Sequence, residues 1–219
     1  MQISRIVAAV AAIGFASAAG AATTISMDTR YFDGSATFAS SADYVNTWNA
    51  LASAPPTPGY SYRLLGAWDN VANLGSSNGI GFKDSVHFGV SSATAGTWSF
   101  LIGPDFGYGG TLIVDGTVLD TKFTDLWWAG DRNNASQTLS GSINLGAGFH
   151  TLDVYGFEGC CNGGTSGFFK APGASDFSVF TTGSTGAVPE PASWALMMIG
   201  FDGMGVAMRR GRKGRTITA

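Results

Sequence analysis

Glycine sets the terms for this chain. It fills 32 of the 219 positions, and a fixed glycine loses more backbone entropy than any other residue, so long helices are disfavoured and tight turns are easy. Between the glycines, apolar side chains recur at every second position. In GIGFKDSVHFGVSS, Ile80, Phe82, Val86, Phe88 and Val90 share one face of an extended segment, the period of a strand with one buried side. GTWSFLIG repeats the pattern with Trp98, Phe100 and Ile102. TLIVDGTVLD reads as two short strands about Asp115-Gly116, the strongest short-range hairpin signal. SGSINLGAGFHTLDVYGFE gives a strand, a glycine turn and a second strand, and GFFK and SDFSVF close the series. Only SADYVNTWNALA carries helical spacing, with Ser41 or Asp43 as its cap and Val45, Trp48 and Leu51 facing inward. The expected fold is all-β, an antiparallel β-sandwich or jelly roll with one short helix.

Both ends of the chain depart from this pattern. MQISRIVAAVAAIGFASAAGAATT has an early cation at Arg5, an apolar stretch from Ile6 to Phe15, then small residues. That is the three-part layout of a secretory signal peptide, here 1–22, with cleavage after Ala21 or Ala22. At the other end, VPEPASWALMMIGFDGMGVAMRRGRKGR carries an apolar run over 192–208 followed by Arg209, Arg210, Arg212, Lys213 and Arg215. The run is just long enough for a transmembrane helix, and the basic end predicts a cytoplasmic terminus. Asp202 inside the run costs about 2.5–3.5 kcal/mol near a helix centre. A short helix with a buried acid is a poor permanent anchor but an adequate temporary hold.

Pro189-Glu190-Pro191, the apolar ASWALMMIGF and the basic end beginning at Arg209 and Arg210 together resemble the PEP-CTERM sorting signal of Gram-negative bacteria, here 188–215. The resemblance implies recognition and cleavage by an exosortase. The precursor would stand in the inner membrane, and the product would reach the cell surface or the extracellular matrix. Asp202 is a departure from the usual glycine and aliphatic run of such tails.

The remaining chain divides into a β-domain over 23–181 and a Gly/Ser/Thr linker over 182–187. Between Thr23 and Ala187 lie six of the 12 basic residues and 13 of the 15 acidic ones, a formal charge of −7. That balance argues against nucleic acid as a partner. GTWSFLIGPDFGYGGTLIVDGTVLD, then a tryptophan pair, then LSGSINLGAGFHTLDVYGFE resembles the protective-antigen-like domain of flocculins and other surface adhesins, over about Gly96 to Phe180. Lectin members of that family hold calcium with two adjacent aspartates. Asp105 matches the first, whereas Phe106 stands at the second, so calcium enters only as a candidate cofactor and the metal ligands are unknown.

No HExxH motif occurs. His87 and His150 lack ligand spacing, which favours structural roles. Glu158 is the one glutamate of the domain and has no partner in sequence that would make a catalytic pair. The expectation is a protein that is not an enzyme.

Two stretches suggest binding. Trp127 and Trp128 are adjacent, so in an extended segment they point to opposite sides and at most one enters the core. The other offers a flat face for stacking on a sugar ring. Asp125, Asp131, Arg132, Asn133 and Asn134 nearby can hydrogen-bond hydroxyls. In FEGCCNGGTSGFF, Cys160 and Cys161 are the only cysteines, and export makes a disulfide the expectation. Neighbouring Cα atoms are about 3.8 Å apart, below the usual disulfide range, so a vicinal bond would form a tight ring. Its rivals are an intermolecular disulfide and a reduced, metal-bound pair. The CCNG run also resembles a group of PEP-CTERM proteins named for a CCXG motif, a name that assigns no activity. The candidate ligand-binding set is therefore Asp105, Trp127, Trp128, Asp131, Asn133 and Glu158, with polysaccharide as ligand. The alternative is a structural matrix or adhesion protein that acts by protein contacts and takes no small ligand.

Overall fold

The alternating segments pair into two antiparallel layers. The computed structural model describes residues 23–72, 79–160 and 163–183. The expected signal peptide, the sorting segment with its transmembrane helix, and Cys161 lie outside the described residues. Among the described residues, no helix is long and apolar enough to cross a membrane.

In chain order the elements are β1 (Thr24–Tyr31), α1 (Ser41–Ala52), β2 (Tyr62–Leu65), β3 (Val71–Ala72), β4 (Ile80–Val90) and β5 (Gly96–Gly103). There follow β6 (Asp105–Phe106), β7 (Gly110–Val114), β8 (Thr117–Lys122) and β9 (Leu126–Trp127). The series ends with β10 (Leu139–Leu145), β11 (Gly148–Glu158), β12 (Gly164–Lys170) and β13 (Ser178–Val179). One sheet has the order β2-β1-β4-β11-β7-β8. The other has β10-β5-β12-β13, with β3 also pairing β12, and β6 and β9 form a separate ribbon.

The inward positions of both sheets meet in one core. Ile25, Phe82, Val86, Phe88, Leu112, Val114, Leu152 and Val154 come from the first sheet, and Trp98, Phe100, Ile102, Leu139 and Phe169 from the second. Burial of such side chains is worth about 1.5–3 kcal/mol each. The Asp115-Gly116 hairpin forms as its sequence predicts, with φ of 47° and 78° at the two residues. β1 is a strand beyond those expected from the sequence, although Ile25 and Met27 alternate with Ser26 and Asp28.

The helix forms over the expected span with a different cap. Ser40 accepts from the Asp43 N–H, and the Asp43 carboxylate accepts from the Ser40 N–H at 2.8 Å, which closes a capping box. Ser41 is therefore the first helical residue, and Asp43 is the third. The face turned to the protein is Tyr44 and Trp48, with Val45 and Leu51 only half-buried. The Tyr44 hydroxyl lies 2.8 Å from both Tyr108 O and Lys122 O, which share its one proton. With Phe32, Tyr155 and Phe157 these rings form a second apolar cluster on the outer side of the first sheet.

Gly156 in β11 illustrates how tightly the core meets the β6–β9 ribbon. A Cβ there would fall within the Phe106 ring, which also covers Gly110. We expect Gly156→Ala to lower unfolding free energy by about 1–3 kcal/mol, as overpacking does. Urea denaturation measures this, and an unchanged midpoint would contradict the packing described.

Candidate functional site

The two residues of β6 face opposite ways, and this divides chemistry from core. Asp105 pairs in register with Trp127, and Phe106 with Leu126. Phe106 and Leu126 are fully buried, Phe106 stacking on Phe82 with ring centroids 5.2 Å apart. Their neighbours in register then share the other face of the ribbon. Cross-strand partners hold their Cβ atoms about 4.5–5.5 Å apart, so the carboxylate and the indole stand side by side.

That face opens on a cleft of about 760 Å³ lined by Asp105, Gly107, Tyr108, Asp125, Trp127, Glu158, Gly159 and Cys160. Trp127 is 63% exposed, against 8% for Trp128. The division follows from what comes after β9. Ala129 and Gly130 both take left-handed backbone, φ 51° and 78°, and turn the chain as Trp128 leaves the ribbon. The Trp128 N–H donates to Pro104 O at 3.3 Å and its indole Nε1 to Gly164 O at 3.1 Å. Its ring packs edge-on against Phe168 and covers Gly103, on the outer side of the second sheet. Trp128 thus anchors the loop and leaves Trp127 on the cleft.

The acids differ in their partners. Glu158 is buried, and its carboxylate accepts three backbone N–H groups: Gly107 at 2.5 Å, Gly159 at 2.7 Å and Cys160 at 2.8 Å. It ties the turn after β6 to the start of the cysteine loop, which makes it a positioning residue. Asp105, also buried, accepts from the Gly163 N–H. Burial is the main force that pushes its carboxyl up to about 6; the Gly163 bond opposes the rise, and the charges of Glu158 and Asp125 add to it. Asp125 is exposed.

Of the residues predicted from sequence, the fold brings Asp105, Trp127 and Glu158 to the cleft, together with Cys160. Trp128 faces the opposite sheet surface. Asp131 and Asn133 are exposed and do not line the cleft; Asp131 instead caps its own loop, accepting from the Asn133 N–H at 2.9 Å. Tyr108, Gly107 and Gly159 line it without a signal in the sequence. His150 lies eight residues before Glu158 along β11, roughly 26 Å away at the usual strand rise. There it bonds Asp115 at 2.6 Å and Gly146 O at 2.9 Å. His87 bonds Thr151.

The residues present do not fit a paired-aspartate calcium site. Phe106 occupies the second position and points into the core. Among the described residues, no group of three His, Cys, Asp or Glu side chains is placed to hold a metal ion.

A folded β-sandwich with an acidic, indole-lined cleft at one end is the class that the geometry defines. The chain carries a PEP-CTERM protein-sorting motif at 187–213, and such a motif indicates an exported protein. No curated protein sequence matches the chain. It is similar to the solved PA14 domain of the MpAFP antifreeze protein, at 12% identity and a TM-score of 0.49, over 75% of this chain and 92% of that one. It is also similar to a PA14 sugar-binding domain from an RTX adhesin, at 11% identity and a TM-score of 0.48, over 74% and 97% of the two chains. A third is the epithelial adhesin 9 A domain from Candida glabrata in complex with Galβ1-4GlcNAc, at 8% identity and a TM-score of 0.47, over 75% and 89%.

Proposed function

We propose that this is an exported, non-catalytic carbohydrate-binding protein of the cell surface or extracellular matrix, which takes polysaccharide in the cleft at the β6–β9 ribbon. One observation carries the reading. Trp127 is a large apolar ring held 63% exposed beside a buried carboxylate, on the rim of a 760 Å³ cleft. An indole in that position can stack on a sugar ring while its N–H and the acids bond hydroxyls. The likeness of LIVDG and LGAGFHTLDV to the protective-antigen-like adhesin domain supports the same reading. A glycan array probed with the full-length chain in mild detergent, with and without calcium, tests it. Retention on a defined set of glycans is the expected result, and a blank array in both conditions would contradict it.

The sorting end is a separate part of the proposal. An exosortase reads Pro189-Glu190-Pro191 while the apolar run holds the precursor in the inner membrane. Glu190→Ala is expected to leave the full precursor in the membrane fraction, and a normal mature mass would refute the assignment. The Cys160–Cys161 disulfide is likewise proposed. It predicts a loss of about 2 Da within one peptide of the exported protein, because the bond removes two hydrogens.

One observation favours the second reading, a matrix protein acting through protein contacts. Tyr62 and Leu64, 58% and 65% exposed, stand on one face of β2, the edge strand of the first sheet. Exposed apolar edge strands invite pairing with another chain.

A further inference from the structure

We infer that the cleft selects amine-bearing, cationic sugars over neutral or acidic ones, a deepening that rests on the carbohydrate reading above. The ground is the balance of hydrogen-bond acceptors and donors that the fold leaves facing the ligand. Three carboxylates line the cleft, Glu158 with both oxygens already engaged by backbone N–H groups, and among the described lining residues there is no Lys, Arg or His. The backbone N–H groups of Gly107, Gly159 and Cys160 are already given to Glu158, and that of Gly163 to Asp105. The Trp127 N–H goes to Gln137 Oε1 at 2.6 Å. Among the described lining residues, side-chain N–H and O–H donors reduce to the Tyr108 hydroxyl and the Trp127 indole.

A neutral sugar presents hydroxyls that both donate and accept, and half of that capacity would go unanswered here. A uronate would meet like charge. An ammonium group supplies three donors, no acceptor and the opposite charge. It also gains from the indole face, which attracts cations through its ring quadrupole. Among the described residues, no three acids converge as a metal site would require. Burial is the main cause that raises the Asp105 carboxyl, and the neighbouring charges of Glu158 and Asp125 add to it; a bound cation would offset that smaller, electrostatic part.

Three oligosaccharides of equal length separate the cases: a glucosamine hexamer, its N-acetylated counterpart and a galacturonate hexamer, titrated into the full-length chain by calorimetry at about pH 7. The expected order is glucosamine tighter than N-acetylglucosamine by about tenfold or more, as two carboxylate–ammonium pairs each worth a fewfold would give, with no galacturonate binding. Raising salt to about 0.5 M should shrink the preference. Asp125→Asn, an exposed change that leaves the fold intact, should reduce it several-fold, whereas Asp176→Asn, outside the cleft, should leave it unchanged. Equal or tighter binding of the N-acetylated hexamer overturns the inference and leaves the carbohydrate reading standing. So does N-acetylated binding that appears only with calcium and vanishes with chelator. An equal loss with Asp176→Asn also overturns it, because the preference would then belong to the overall negative charge. If none of the three binds, the inference fails, and a blank glycan array beside that result removes the carbohydrate reading as well.

Discussion

Trp127→Ala should weaken polysaccharide retention by about 1–3 kcal/mol, roughly ten- to hundredfold, while leaving the melting temperature within about 2 °C of the parent. The two effects separate because the ring is outside the core. At 63% exposure it surrenders little buried area when removed, and the ribbon stays closed by the Trp127 backbone and the buried Phe106–Leu126 pair. Trp128→Ala should do the reverse. That ring packs on Phe168 and bonds Gly164 O, so its loss should cost about 3 kcal/mol of stability, in the range for a large buried aromatic. Binding assayed below the lowered melting temperature should then fall only through loosening of the loop. If Trp127→Ala unfolds the protein, or if Trp128→Ala abolishes binding in a fully folded sample, the division of labour between the two indoles is wrong.

Asp84→Asn should make the domain more stable at neutral pH, by a few kcal/mol, and change it little at about pH 4. Asp84 stands on the inward face of β4 between its register partners Met27 and Val154, and it is 1% exposed. Neither carboxylate oxygen has a hydrogen-bond partner, and the Nε of Arg63 is likewise buried and unpartnered. The Arg63 guanidinium instead donates to Met27 Sδ at 3.2 Å. Burial pushes the Asp84 carboxyl up to about 8, and attraction to Arg63 offsets only part of the rise. A carboxyl raised from 3.8 to about 8 on folding keeps a proton that the unfolded chain releases. Its stabilising contribution is therefore complete below about pH 4 and is lost as pH rises to about 8, by about 1.4 kcal/mol per unit. Asp105, raised to about 6, acts in the same direction over the lower half of that window. Asparagine keeps the shape and removes the titration. Urea unfolding of both proteins at about pH 4.5 and about pH 7.5 checks it. Parallel pH profiles for the two would show that Asp84 is not the buried acid described.

What the sequence made legible follows from where side chains alternate. β4, β5 and the β7–β8 hairpin stood out because large apolar residues recur at every second position and glycine or Asp-Gly marks their ends. β1 has the same period, but Thr29 holds one inward position and Asp28 and Arg30 dominate its outer face. β6 and β9 are two residues each and have no period to read. The pairing of Asp105 with Trp127 spans 22 positions and is set by the fold around Phe106; no local pattern encodes it. The same holds for which tryptophan would be exposed, since the answer depends on Gly103 and Phe168 accepting the second ring. Asp84 is the contrary case. It falls in phase with Ile80, Phe82, Val86, Phe88 and Val90, and a carboxylate at that parity of a half-buried strand is carried into the core with its apolar neighbours.

A ligand lying against Trp127 would be reported directly by the indole N–H groups. Four of the five tryptophans among the described residues, Trp48, Trp68, Trp98 and Trp128, are buried, so their Nε1–H resonances should respond little to a ligand in the cleft. A two-dimensional nitrogen–proton spectrum of the indole-labelled chain, titrated with oligosaccharides that the glycan array retains, should show one strongly shifting indole, lost in Trp127→Ala. Shifts spread over the buried indoles, or saturable binding with the Trp127 resonance unmoved, would place the ligand elsewhere and contradict the account.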